Sequence, residues 1–397
     1  MAGNSQDDGK TGPAARAATE QTLRGEAGMT SSFVESCVET AADSAVAVVK
    51  GSRHRPHALK LLHALDGRKN ILVTTHEHPD PDALASSFAL ARLLQIKLKD
   101  AKISVSVKGR IGAGYNAVFI QQAEMKPLEM KPLPWDDAKL AEFDAIVLLD
   151  VQPMFKLNPL PPDIQPTAVI DHHRSHGRRP KCPFCDIRTD VGASSSIVFS
   201  YYMELDVNIS RELAAMMLFA IETDLAGAAG KPGDLDNLAL SSLTLMADLR
   251  RLNKMRFAPL PQGMFNAYAD GLDNALYYEQ ALMTHVGAIE SGETAAVVAD
   301  FLLRFDKVEW VLVTAIGGQT LVLSLRTSSP KGSAADIMRR LVRGIGEGGG
   351  HRTKAGGGIP LESATPTEIE RHRATLRRRL LRALKIKMQR GQKLVTR

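Results

Sequence analysis

The sequence predicts an α/β fold: an N-terminal parallel-sheet domain, a smaller C-terminal α/β domain, and the site in the cleft between them. Three observations predict it. Short aliphatic runs alternate with helical periodicities through the first half of the chain. Those runs are apolar on both faces, as strands covered by helices on two sides must be. Carboxylates and imidazoles stand at the ends of several of them, where parallel sheets place their ligand crevices.

Taken in order, residues 1–54 are rich in Ala, Gly, Ser, Thr and charge and are expected to be disordered. A domain over 55–234 opens on "RPHALKLLHAL", a short amphipathic helix. "NILVTT" (70–75) is a buried strand, and "DALASSFALARLLQ" (82–95) a helix with Asp82 near its N-cap. "KISVSV", "FDAIVLLD" (143–150) and "TAVID" (167–171) supply further strands; helices follow near 193–205 and 210–223. A helical connector spans 235–290. In a second domain (291–365), "ETAAVVADFLL", "VEWVLVTAIGG" and "TLVLSLRTSS" read as strands with their turns, and "SAADIMRRLVRGI" as a helix. "GEGGGHRTKAGGGIP" reads as glycine-rich turns that bring backbone close to a ligand. The basic segment 366–397 has Leu376, Leu380, Leu384 and Met388 at helical spacing.

Composition narrows the function classes. The net charge of +6 is an average of two unlike parts. From Arg371 to Arg397 there are eleven Lys/Arg and no acid, while the other 39 basic residues face 44 acidic ones. A mildly acidic body does not wrap long nucleic acid over its whole surface, but the tail could contact RNA or another acidic surface. No run approaches the ~20 apolar residues that span a bilayer, and no secretion signal opens the chain. Cys37, Cys182 and Cys185 are too few for a disulfide framework, so a cytoplasmic location is expected. "CPFC" (182–185) lacks the second half of a zinc site and reads as a pair of reduced thiols.

The segment "HEHPDPDALASS" (76–87) crowds His76, Asp80 and Asp82 onto a strand-end loop stiffened by Pro79 and Pro81. Carboxylates packed together repel and take up protons; a divalent cation reverses that preference, because it binds anionic oxygens and neutral imidazoles. Asp150, His172 and Asp224 ("AIETD") end other elements and can complete the set. These donors exceed what one catalytic ion can take while also holding water and substrate. They suit two ions sharing a carboxylate, ~3.5–4 Å apart, with a bridging hydroxide for in-line attack at phosphorus. His78 and Glu77 are read as an outer and a solvated residue. The loop after "KISVSV", with Arg110, lacks any phosphate-cradle spacing and is read as plain.

In that order, "HEHPDPDA", "VLLD", "IDHH" and "ETD" resemble the four motifs of the DHH phosphoesterase superfamily, and "GGGHRTKAGGGI" resembles the Gly-Gly-Gly-His motif of its associated C-terminal domain. The resemblance runs from about 55 to 362. It implies two manganese ions, with magnesium or cobalt as substitutes. One would be held by His76, Asp80 and Asp150, the other by Asp82, Asp150, His172 and Asp224. His173 would contact the scissile phosphate, and Arg326, Gly348, Gly349, Gly350 and His351 would bind the rest of the substrate. His78, Pro81, Leu225 and Ala226 depart from the usual motifs and bear on substrate choice. The implied substrate is a short oligonucleotide or 3′-phosphoadenosine 5′-phosphate, as for nano-RNases. Cyclic-dinucleotide phosphodiesterase, RecJ-like exonuclease, pyrophosphatase and a non-catalytic nucleotide or RNA sensor are the alternatives. The oligomeric state is left open.

Overall fold

The structure is a computed structural model that describes residues 57–396, apart from 78, 109–134, 136, 175–179, 227–231, 351 and 389. The expected disorder of 1–54 and the readings of His78, Arg110 with its loop, and His351 lie outside the described residues. From Pro56 onward the chain forms one compact unit.

The first half runs α1 (His57–Ala64), β1 (Asn70–Thr75), α2 (Pro81–Lys97), β2 (Lys102–Val105), α3 (Asp137–Leu140), β3 (Ala145–Leu149), β4 (Ala168–Asp171), β5 (Phe184–Ile187), α4 (Ser194–Glu204) and α5 (Arg211–Leu225). Its five strands are all parallel, in the order β2-β1-β3-β4-β5. Strand residues alternate between two cores, which is why the runs are apolar throughout. Ile71, Val73, Val147 and Ile170 pack with Leu84, Phe88, Phe199 and Phe219. Leu72, Leu148 and Val169 pack with Leu140 and Leu160 on the other face. The chain leaves β1 for β2 on one side and returns to β3 on the other, so the crevice of this sheet lies at the carboxyl ends of β1 and β3.

The second half begins with α6 (Asp234–Met246), α7 (Leu249–Arg256) and α8 (Gln262–Asp273). Then follow β6 (Leu276–Tyr278), β7 (Ala281–Ala288), α9 (Gly292–Leu302), β8 (Trp310–Gly317), β9 (Thr320–Thr327), α10 (Ala334–Val342), β10 (Glu347–Gly350), β11 (Lys354–Pro360), α11 (Pro366–Ala383) and β12 (Gln392–Lys393). The sheet order is β10-β11-β9-β8-β7-β6-β12, with only β7 and β8 parallel among these pairs. Leu321, Leu323 and Leu325 of β9 face α10 and α11. Val311 and Val313 of β8 face α9.

The fold class agrees with expectation, and four local readings change. "ETAAVVADFLL" is helix α9, not a strand: Ser291 caps it, and Ala295, Val298, Ala299 and Leu302 are buried at helical spacing. The helical connector ends at Asp273, because β6 and β7 already belong to the second sheet. "GEGGG" and "KAGGGIP" are paired strands, β10 and β11, whose pairing with β9 overrides glycine's poor strand propensity. The basic helix α11 starts at Pro366, capped by Thr365, and stops before Lys385, whose φ is 57°. Leu384 and Met388 therefore pack beyond its end. Asp80 is the N-cap of α2, with Asp82 in its first turn, close to the cap as expected. Among the described residues no helix is long and apolar enough to cross a membrane.

Candidate metal centre

His76 follows β1. Its Nδ1 lies 2.9 Å from the Glu77 carbonyl, which can only accept, so Nδ1 carries the proton in the neutral ring. That tautomer leaves Nε2 with its lone pair, 3.5 Å from Asp150 Oδ2. Asp80 Oδ1 accepts from the Ala83 N–H at 3.0 Å, and Pro81 occupies the first helical position, where no N–H is needed. Glu77 turns to Lys108, 2.8 Å away.

Asp82 sits one residue further into α2 and is buried. Its two oxygens accept the N–H groups of Ser194 (2.7 Å) and Ser195 (2.9 Å). Those are first-turn amides of α4, whose own N-cap, Ala193, makes no side-chain bond. Asp82 thus caps a neighbouring helix and gains the positive end of its dipole.

Asp150 stands one residue past β3 with φ 58°, a left-handed conformation that Asp tolerates better than most. Its N–H donates to the Ile170 carbonyl at 2.9 Å, and Ser194 Oγ–H donates to its Oδ1 at 2.9 Å. His172 Nε2 lies 3.3 Å from Asp150 Oδ1 and 3.4 Å from Asp224 Oδ2. Asp224 ends α5, the unfavourable pole for a carboxylate. The Lys354 ammonium, from β11, donates to the Thr223 and Asp224 carbonyls at 3.1 and 3.0 Å and stands 3.7 Å from Asp224 Oδ1. His173 Nδ1 is 2.6 Å from Asp171 Oδ1; Gln152 Nε2 donates to Asp171 Oδ2 (2.6 Å) and to the His173 carbonyl (3.0 Å).

Charge crowding is severe. Burial, reinforced by Asp150 and Asp224, pushes the Asp82 carboxyl well above the usual range. Burial also raises Asp224, with His172 and Lys354 opposing. Asp150 is buried too, but hydrogen bonds from His172 and His76 hold it well below that range. Burial opposes a charge on His76, yet Asp150 and Asp80 bring its pKa up to about 9. His172 is likewise raised by Asp150, and His173 by Asp171, each against its burial. The imidazoles are made to take protons because the carboxylates need positive charge.

A divalent cation meets that need, and the donor set fits one. His76, Asp80 and Asp150 each offer an atom within 4.8 Å of the others; so do Asp82, His172 and Asp224, and so do Asp150, His172 and His173. Mixed imidazole and carboxylate donors suit manganese, and these triads could hold two ions with Asp150 between them.

The expected substrate residues lie on the second sheet. Arg326 is directly opposite Lys354 in the β9–β11 register, so both project from one face. Its guanidinium donates to Asp300 Oδ1 (2.6 Å) and Ser324 Oγ (3.1 Å). Gly348, Gly349 and Gly350 form edge strand β10, where alternate backbone groups face away from β11. Gly349 has open space where a Cβ would stand, whereas a Cβ on Gly350 (φ 144°) would meet the Lys354 carbonyl at 2.4 Å. Sequence reading did not find Ser194, Gln152, Lys354 or the role of Asp171. Only Asp171, inside the Asp-His-His run, carried a signal.

With this geometry in place, comparison with known proteins is informative. Residues 70–221 match the DHH family, N-terminal domain. Over this segment the chain is similar to that family. An uncharacterized protein of Methanocaldococcus jannaschii is 29% identical over 292 residues, 73% of this chain and 58% of that one. A probable manganese-dependent inorganic pyrophosphatase of Streptococcus agalactiae is 28% identical over 156 residues, 39% of this chain and 48% of its own. The chain thus spans about half the length of the curated relatives it matches. An exopolyphosphatase-related protein from Bacteroides fragilis shares the fold, with TM-score 0.64 at 17% identity, covering 83% of this chain and 97% of that structure. The DHH match covers the segment that carries all the candidate donors except Asp224.

Proposed function

We propose that the chain is a manganese-dependent phosphoesterase whose substrates are short oligonucleotides or a nucleoside bisphosphate. The observation that carries this reading is the meeting of two donor triads around buried Asp150, built from segments far apart in the chain. Two divalent ions bound there would supply Lewis-acid charge for a phosphoryl group and a nucleophile at neutral pH. His76, Asp80 and Asp150 would hold one ion; Asp82, Asp150, His172 and Asp224 the other.

The chain's own side chains provide the rest. Asp171 and Gln152 fix the orientation of His173, and Asp171 favours its charged form, so the ring can donate to a phosphoryl oxygen or to the leaving group. Lys354 adds a cation from the second domain beside Asp224. On the same sheet face, Gly349 pairs with Gly356. This strip without side chains lies close to Arg326 and Lys354, which suits a flat base next to a phosphate. Arg326 of β9, together with Gly348 and Gly350 of β10 and with His351, would hold the second phosphate.

Replacing Lys354 with Met is expected to lower kcat/KM about tenfold, mainly through KM, with Lys354→Arg restoring most of the loss. Equal kinetics for wild type and Lys354→Met would remove this lysine from the site. A substrate panel tests the whole reading: 5′-labelled dinucleotide, 3′-phosphoadenosine 5′-phosphate, cyclic dinucleotide and pyrophosphate, each with manganese and with EDTA. Manganese-dependent release of mononucleotide or phosphate from the first two is expected. The pyrophosphatase relatives that match over 39% of the chain favour one second reading, inorganic pyrophosphate hydrolysis. Turnover of pyrophosphate alone would establish it, and tight nucleotide binding without any turnover would indicate a sensor.

A further inference from the structure

Helices α10 and α11 lie side by side on the sheet face opposite Lys354. Their apolar sides, including Ile337, Met338, Leu341, Ile369, Leu376 and Leu380, fill one core with Leu323 and Leu325. Arg379 fixes how they meet: its guanidinium donates to the Leu341 and Arg343 carbonyls at 2.6 and 2.8 Å, so the end of α10 rests against the middle of α11. The outer sides are basic. Arg339, Arg340 and Arg343 are exposed at the end of α10, and Arg371, Arg378, Arg382 and Lys385 along α11 and just past it.

Internal stability does not explain this surface. Arg339 pairs with Asp336, but among the described residues Arg340, Arg343, Arg371, Arg378 and Arg382 have no acidic partner. Arg378 and Arg382 are like charges one helical turn apart, an arrangement that weakens a helix. The helix dipole favours Arg382 in the last turn, yet offers nothing to Arg371 in the N-terminal half.

We infer that the outer face of α10 and α11 is a docking surface for single-stranded nucleic acid, separate from the catalytic cleft and independent of the reading of that cleft. Six of its seven exposed cations are arginines, whose planar forks match phosphate oxygens. Arg371, Arg378 and Arg382 stand on one side of the helix about 10 Å and about 6 Å apart, a row that can follow a phosphate backbone. A membrane surface fits less well. The apolar sides of both helices are already spent on the core, and the exposed large apolar side chains of the described residues lie on other elements.

The test uses the full chain with manganese and a fluorescein-labelled, hydrolysis-resistant 2′-O-methyl RNA single strand of about twenty nucleotides. Replacing Arg371, Arg378 and Arg382 with serine is expected to weaken binding at least about tenfold near 100 mM salt. The slope of log Kd against log salt should fall by about 2, as loss of three single-strand phosphate contacts requires. A second variant, with serine at Arg339, Arg340 and Arg343, should act in the same direction, and neither should alter turnover of whichever panel substrate is cleaved. Unchanged affinity and slope in both variants would overturn the proposal. So would RNA binding that survives while binding to phosphatidylserine vesicles is lost, or a loss of RNA binding that always accompanies lost turnover.

Discussion

Asp150→Asn is expected to lower metal-dependent phosphoester hydrolysis by at least about a thousandfold. The carboxylate is the side chain shared by the His76–Asp80–Asp150 and Asp150–His172–His173 triads. Asparagine is the informative replacement. It keeps the volume, tolerates the left-handed backbone at φ 58°, and still offers an oxygen to Ser194. It removes only the charge that His76 and His172 face at 3.5 and 3.3 Å. Alanine at this position would add backbone strain of about 1–2 kcal/mol and confuse folding with chemistry. Calorimetric titration with manganese should show weaker binding and fewer ions per chain, while the melting temperature without metal changes little. Wild-type turnover in Asp150→Asn would remove the two-ion reading.

Asp186→Ala should be the most destabilising single substitution outside the site, with an expected loss of about 3–5 kcal/mol. Asp186 is 2% exposed and joins three elements. It accepts from Arg188 Nε at 3.0 and 3.1 Å and Nη2 at 2.8 Å, and from the fully buried Tyr201 hydroxyl at 2.7 Å; His57 Nδ1 is 3.2 Å away. Alanine would leave a mostly buried guanidinium and a buried hydroxyl without their acceptor. Burial alone would raise the Asp186 pKa, but His57 and Arg188 outweigh it and hold the carboxyl far below the usual range. A depressed pKa fixes the sign of the pH effect. The stabilisation is complete above the unfolded carboxyl pKa of about 3.9 and is lost as pH falls below it. Urea unfolding at pH 7 should separate wild type from variant widely, and the gap should narrow toward pH 3. A constant gap would show that packing, not the ion pair, carries the effect.

Much of this was legible before any coordinates. The parallel sheet could be read because both of its faces are covered, so β1 and β3 appear as unbroken apolar runs. The candidate donors could be read because they end those runs, and the topology brings the ends together. What could not be read depends on pairing and on partners distant in the chain. The α9 segment invites a strand reading through Thr294, Val297, Val298 and Phe301, although its alanines favour a helix and its apolar spacing is helical. β10 and β11 carry six glycines in eleven residues, and only their neighbours make them strands. Ser194 and Lys354 lie far in sequence from the aspartates they serve, and neither residue type announces such a task. The cap itself, Asp80, could not be named because Pro81 begins the helix one residue earlier than the apolar periodicity does.

The candidate donors come from the ends of β1, β3, β4 and α5 and the first turn of α2, and the last of them is Asp224. A nascent chain leaving the ribosome can complete the His76–Asp80–Asp150 triad once Asp150 has emerged, but the Asp82–His172–Asp224 triad must wait for α5. The full donor set is therefore assembled only after α5 has folded, and a fragment halted before that helix lacks one of the three donor triads.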